Sequence, residues 1–219
     1  MTTIDTGDIS DEDIERWAER LSSCIQDAPA APAPTAGLKP FDIAGVAESV
    51  RLAYRACKEW LNDIICKKCP PYMLSLLGRS GCGKTHLAKN ARATLCSRGI
   101  PCIMCSWAQA ITDMKEGNEG HIIHSLRQHP VLILDDVGAE NLGSEWAREN
   151  SAAKLCDMLN GRQRKWTLLT SNFPPKQFAE RYDTRVASRI HRNNARIIQM
   201  KDAEDYAIAH YRVWKPDGE

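Results

Sequence analysis

No stretch of this 219-residue chain is apolar for anything near the ~20 residues that cross a bilayer. Its first residues are acidic and lack an apolar segment, so no secretory signal is visible and a cytoplasmic location is expected. No segment repeats, which argues against a solenoid. No N-K-x-D motif is present, so guanine is not the expected base. Six histidines are scattered without ligand spacing, and none is assigned to catalysis. Cysteine, by contrast, is plentiful. Nine thiols cannot all pair, and a reducing compartment with thiols serving as small buried hydrophobes is the simpler reading.

Net charge is nearly absent as well, at +1, but the total hides an asymmetry. Residues 1–28 hold eight acids and two bases, a net of −6, so the remainder carries +7. A mildly basic body suits a polyanionic partner or an ordinary surface equally. The acidic segment starts like a helix, with Ser10 capping and Asp11, Glu12 and Asp13 in the first turn. Ile14, Trp17, Ala18, Leu21 and Ile25 then recur at helical spacing. One amphipathic helix cannot bury its own stripe, so either the body or a partner must cover it. An Ala/Pro tether follows. The expected organisation is a partner-docking helix over 1–27, a linker over 28–40 and a single catalytic body over 41–219.

The body is organised around Gly78-Arg79-Ser80-Gly81-Cys82-Gly83-Lys84-Thr85. A short apolar run, 72–77, precedes these residues and a helical pattern, 85–97, follows them. This is the G-x-x-x-x-G-K-[ST] phosphate loop in its strand–loop–helix setting. Glycines let backbone N–H groups turn inward as a nest for anionic oxygens, and the helix start adds orphan donors and a positive dipole end. Lys84 is suited to the β- and γ-phosphates and the Thr85 hydroxyl to Mg²⁺. Backbone and side chains from Gly78 to His86 are therefore the expected ATP contacts. Alkylation of Cys82, inside the loop, is expected to block nucleotide binding.

The second strong signal is Val131-Leu132-Ile133-Leu134-Asp135-Asp136. A continuous apolar run reads as a central parallel strand buried on both faces, with two carboxylates at the ligand-binding edge of the sheet. Asp135 is the candidate Mg²⁺ acid and Asp136 the candidate general base for water. A further strand over 166–170 runs into Ser171-Asn172. Asn172, with Thr170 as runner-up, is the candidate contact for the γ-phosphate or the attacking water. The remaining pattern predicts helices over 47–65, 107–115, 122–128, 145–161, 185–192 and 203–214, strands over 100–106 and 196–200, and a loop over 117–120. Alternating strand and helix predicts an α/β fold, a parallel five-stranded sheet flanked by helices, with one strand between the loop strand and the Asp-Asp strand.

Four segments in this order, GRSGCGKTHLA (78–88), LILDDVGAE (132–140), LLTSNF (168–173) and RVASRI (185–190), resemble the DnaC/DnaI-type helicase loaders and the related IstB transposition ATPases, all AAA+ proteins. The resemblance covers about residues 41–200. It implies an ATPase of the P-loop AAA+ class that uses ATP and Mg²⁺, forms a homo-oligomer through its ATP sites, contacts single-stranded DNA and loads a replicative helicase; the alternative client is a transposase, with DNA bending. It implies that nucleotide sits between subunits, with Arg189 as the arginine that completes the neighbour's site and Arg185, one turn earlier, supporting it. It also implies DNA contacts from about 107–120. Lys115 and Trp107 are the candidates there, and Trp107 reads equally well as core. Ile43 and Val46 are candidates for lining adenine, and Arg212 for a second sensing arginine.

Two C-x-x-C pairs, Cys66/Cys69 and Cys102/Cys105, have a spacing seen at zinc sites. The second pair falls inside a predicted strand, where residues three apart point to opposite faces, so free or buried thiols are expected instead. A small-molecule kinase and an ATP-switched binding protein are the rivals that keep the phosphate loop. The first needs an acceptor pocket and a closing lid, neither of which is evident, and measured turnover separates the second.

Overall fold

The computed structural model describes residues 47–140, 145–192 and 195–203. The N-terminal helix and linker, Ile43, Val46, the predicted helix over 203–214 (Ala203 apart) and Arg212 lie outside the described residues. Chain order is α1 (Glu48–Cys66), β1 (Met73–Gly78), α2 (Lys84–Cys96), β2 (Cys102–Ser106), α3 (Trp107–Asp113), a π-helical turn (Met114–Asn118), α4 (Glu119–Gln128), β3 (Val131–Val137), α5 (Glu145–Asn160), β4 (Trp166–Ser171), α6 (Pro175–Ile190) and β5 (Arg196–Met200).

The five strands form one all-parallel sheet in the order β2-β3-β4-β1-β5. β4 therefore lies between the loop strand and the Asp-Asp strand, as the sequence predicts. The run in β3 is continuous because both faces are covered. Leu132 and Leu134 join one apolar layer with Trp107, Leu155, Phe178 and Tyr182, and Val131 and Ile133 join the other with Trp60, Leu76 and Leu87. Cys105 packs against the first layer and Cys102 against the second, so the two thiols do face opposite ways across the sheet. No helix among the described residues is long and apolar enough to cross a membrane.

Most predicted bounds hold to within two or three residues, and two regions differ more. The helix expected over 185–192 begins ten residues earlier, at Pro175. Proline at a first helical position loses no hydrogen bond, because that N–H is an orphan anyway. Pro174-Pro175 thus ends the strand and also starts the helix. The loop expected over 117–120 is instead a kinked helical passage. Gly117, at φ 104°, bends the π-helical turn into α4, which starts at Glu119.

Candidate functional site

The phosphate loop bridges the end of β1 and the start of α2. Gly81 and Gly83 have φ of 78° and 94°, the left-handed region that a side chain disfavours. Gly83 is the N-cap of α2 and supplies no side-chain cap, so the first N–H groups of the helix stay directed at the cradle. Lys84 is buried, and its Nζ donates to the carbonyl oxygens of Gly78 (2.9 Å) and Arg79 (2.6 Å), with Cys82 Sγ at 3.5 Å. An entering phosphate would exchange neutral partners for a charge-assisted one. Arg79, Ser80, Thr85 and His86 are exposed along the rim. Cys82, unlike its neighbours on the rim, is buried. The residue is 4% exposed, with its sulfur 3.9 Å from Met200 Sδ, so it packs behind the loop.

β3 brings the two acids to this cradle through an irregularity. Its pairing with β4 shifts between Leu134 and Val137, and Asp136 has φ 56°. In a regular strand the adjacent acids would point to opposite faces, and a bulge re-aims a side chain. Asp135 is buried, and its Oδ1 accepts hydrogen bonds from Thr85 Oγ1 (3.2 Å) and Thr170 Oγ1 (2.6 Å). Thr170 Oγ1 also accepts the Asp136 N–H at 2.8 Å, fixing the backbone at the bulge. Asn172 Nδ2 donates to Asp136 Oδ1 at 2.6 Å. Burial pushes the Asp136 carboxyl above the ordinary aspartate range; Asp135 and Glu140 add to the rise and Lys84 opposes it. The loop, Asp135, Asp136, Thr170 and Asn172 thus converge at one sheet edge. The donor set suits the groups it would hold: inward N–H groups and an ammonium for phosphates, and a hydroxyl beside a carboxylate for a hard divalent cation.

Arg189 is not brought to this edge. It closes α6, where its Nε donates to Asn160 Oδ1 at 2.5 Å and its Nη1 to the Arg185 carbonyl at 2.7 Å. Asn160 ends α5, on the side where strands begin. In β5, Arg196 pairs with Leu74 near the start of β1, and Met200 pairs with Gly78 at its end. Six residues at ~3.3 Å each put about 20 Å of sheet between Arg189 and its own loop.

Sequence reasoning missed a buried carboxylate behind Asp136. Glu140 is 4% exposed. Its Oε2 accepts the Gly138 N–H at 3.0 Å, and its Oε1 accepts from Ser151 Oγ at 2.7 Å and from the Tyr182 hydroxyl. Trp107 Nε1 donates to Ser151 Oγ at 3.2 Å, which makes Trp107 a core residue and removes it as a nucleic-acid contact. Burial first, and then Glu140, push the Tyr182 phenol far above its ordinary value, so it stays a neutral donor. The available signal was an acid two residues beyond the glycine that ends an apolar strand. Lys115, by contrast, is exposed on the π-helical turn.

The fold and this edge define a P-loop nucleotide-binding domain of the AAA+ type. Residues 72–199, more than half of the chain, match the family model for IstB-like ATP binding proteins, and the chain belongs to that family. It is 26% identical over 184 residues to the phage-like element PBSX protein XkdC of Bacillus subtilis (strain 168), covering 80% of this chain and 67% of XkdC. Among solved structures it is similar to the DnaC helicase loader (25% identity, TM-score 0.55, 70% of this chain and 90% of that one). It is similar also to the replication initiator DnaA bound to AMPPCP and single-stranded DNA (25%, TM-score 0.56, 70% of this chain). The chain spans about half the length of that initiator, 47%.

Proposed function

We propose that this chain is an ATPase that assembles through its nucleotide sites and loads a replicative helicase onto single-stranded DNA. The observation that carries the reading is the split of its machinery: the loop, acids and Asn172 share one sheet edge, and Arg189 sits at the other. An arginine about 20 Å from its own loop is out of reach of its own nucleotide, which supports a role toward one held by another subunit. The backbone from Gly78 to Thr85, with Lys84, grips the phosphates, and Thr85 with Asp135 holds Mg²⁺. When bound there, Mg²⁺ neutralises phosphate charge. Asp136 accepts the proton of water oriented by Asn172, and its raised affinity for protons brings it nearer the operating pH, where a general base works best. Arg189 of one copy stabilises charge on the γ-phosphoryl oxygens of the next, a contribution of ~10³–10⁵ in rate for such arginines. Loss of that phosphate then loosens the assembly.

Mixing tests the division of labour. Lys84→Ala and Arg189→Ala chains are each expected to be inactive alone and to regain hydrolysis when combined, because some junctions pair an intact loop with an intact arginine. A mixture as inactive as its parts, with assembly intact, would sink the reading. The client is read by capture on the immobilised full-length chain. A hexameric helicase is the expected prey. The family's IstB description favours one second reading, a transposition ATPase that bends DNA, and a transposase in its place would select it.

A further inference from the structure

A second cationic feature lies at the edge where the strands begin. A shallow, solvent-open cleft there is walled by Tyr72, Arg162, Arg164, Lys165, Arg189 and Arg192, among others. No carboxylate is among the described residues that line it. Its floor carries charge. Arg162 is 3% exposed and donates to the carbonyl oxygens of Leu126 (2.7 Å), His129 (2.8 Å) and Trp166 (2.6 Å) and to Thr167 Oγ1 (2.9 Å). Every one of these partners is neutral, so the buried guanidinium has no counter-ion among the described residues. Burial lowers its pKa to about 10, which leaves it charged at neutral pH.

The rim adds more positive charge. Arg164 and Arg192 are exposed, and neither pairs with a carboxylate among the described residues. Of the acids on neighbouring α1, Glu59 takes Arg196 Nη1 at 2.8 Å, and Asp63 accepts the hydroxyl of the cleft's own Tyr72 at 3.0 Å. Arg164 has φ 61°, a turn position that glycine or asparagine fills more easily. A bulky cation occupies a strained backbone site on the cleft wall, and such outliers gather at ligand clamps.

We infer that this cleft receives the polyphosphate of the nucleotide held by a neighbouring copy of the chain, with Arg164 and Arg192 gripping it beside Arg189. The inference rests on the trans reading above and extends it from one arginine to a surface. A compact cluster converging from the 161–165 turn and the end of α6 matches a short, highly charged group. A nucleic-acid track would need a groove with stacking aromatics, and the one aromatic among the described lining residues, Tyr72, is buried with its hydroxyl tied to Asp63.

The test supplies the cleft and the nucleotide on different chains. Arg189→Ala chains, which keep the loop, are loaded with ATP and titrated with Lys84→Ala chains, which keep the cleft. Phosphate release is then recorded. Adding Arg164→Gly or Arg192→Gln to the Lys84→Ala chain is expected to cut the restored rate about tenfold each, as for one charge-assisted hydrogen bond. Glycine fits the backbone at 164, so that variant should melt no lower than its parent. Full restoration by both variants, while adding Arg189→Ala to the same donor abolishes it, overturns the cleft and leaves the trans arginine standing. No restoration by the Lys84→Ala chain itself removes both. If the variants instead lower the affinity for a single-stranded oligonucleotide and flatten its salt dependence, at unchanged restoration, the cleft serves nucleic acid and the inference fails.

Discussion

Replacing Glu140 with alanine is expected to destabilise the fold by about 3–5 kcal/mol, as for removal of one partner from a buried charged network. The carboxylate satisfies the Gly138 N–H, the Ser151 hydroxyl and the Tyr182 hydroxyl together. These donors come from the turn after β3, from α5 and from α6, so one side chain fastens two helices to the acid-bearing strand. In the alanine variant the Gly138 N–H has no rotational freedom with which to find another acceptor. Glu140→Gln is the milder control. Its amide oxygen can accept from Gly138 while its NH₂ faces hydroxyls that can rotate to accept, so a cost nearer 1–2 kcal/mol is expected. Urea unfolding measures both, and the midpoint should fall at constant slope. A loss under 1 kcal/mol for the alanine variant would mean that water or a relaxed neighbour takes over the carboxylate's role. Because α6 also carries Arg185 and Arg189, the same variant should weaken activity between mixed chains more than nucleotide binding within one.

The fold was readable because its signals are local and mutually consistent. The Gly81/Gly83 pattern demands left-handed backbone where the loop needs it, and the unbroken run into Asp135 reports a strand covered on both faces. Loop, Asp135, Asp136 and Asn172 were legible for the same reason: each sits at a strand end, and parallel strands bring their ends to one edge. What escaped was non-local. Glu140 depends on partners 11 and 42 residues away, a relation that no spacing rule encodes. Trp107 was undecidable from sequence because an aromatic at a helix start suits a core and a stacking surface alike, and its bond to Ser151 settles the matter. Pro175 misled because proline reads as a stop unless the helix beyond it is already known. The burial of Cys82 likewise follows from β5 passing behind the loop, through Met200, 118 residues away.

Asp136→Asn is expected to keep ATP binding and to lower turnover by about 10²–10⁴, the usual weight of a general base. The same change is expected to stabilise the protein near neutral pH. Burial and Asp135 raise the folded-state pKa of Asp136 above its unfolded value, so the folded chain holds this proton more tightly. Its contribution to stability is fully present below the unfolded value and is lost as pH rises through the folded one. The wild-type chain therefore carries an unfavourable ionised carboxylate at neutral pH, which asparagine removes. Asparagine also accepts the φ of 56° at this position more readily than most residues. Thermal unfolding without nucleotide or Mg²⁺ should place the Asn variant above wild type at neutral pH, with the gap closing as pH falls through the raised value. The wild-type hydrolysis rate should also fall as pH is lowered, since protonation removes the base. A variant that melts lower than wild type at neutral pH would contradict the strained, charge-crowded acid inferred here. A variant that hydrolyses ATP at the wild-type rate would transfer the base to another group at this edge.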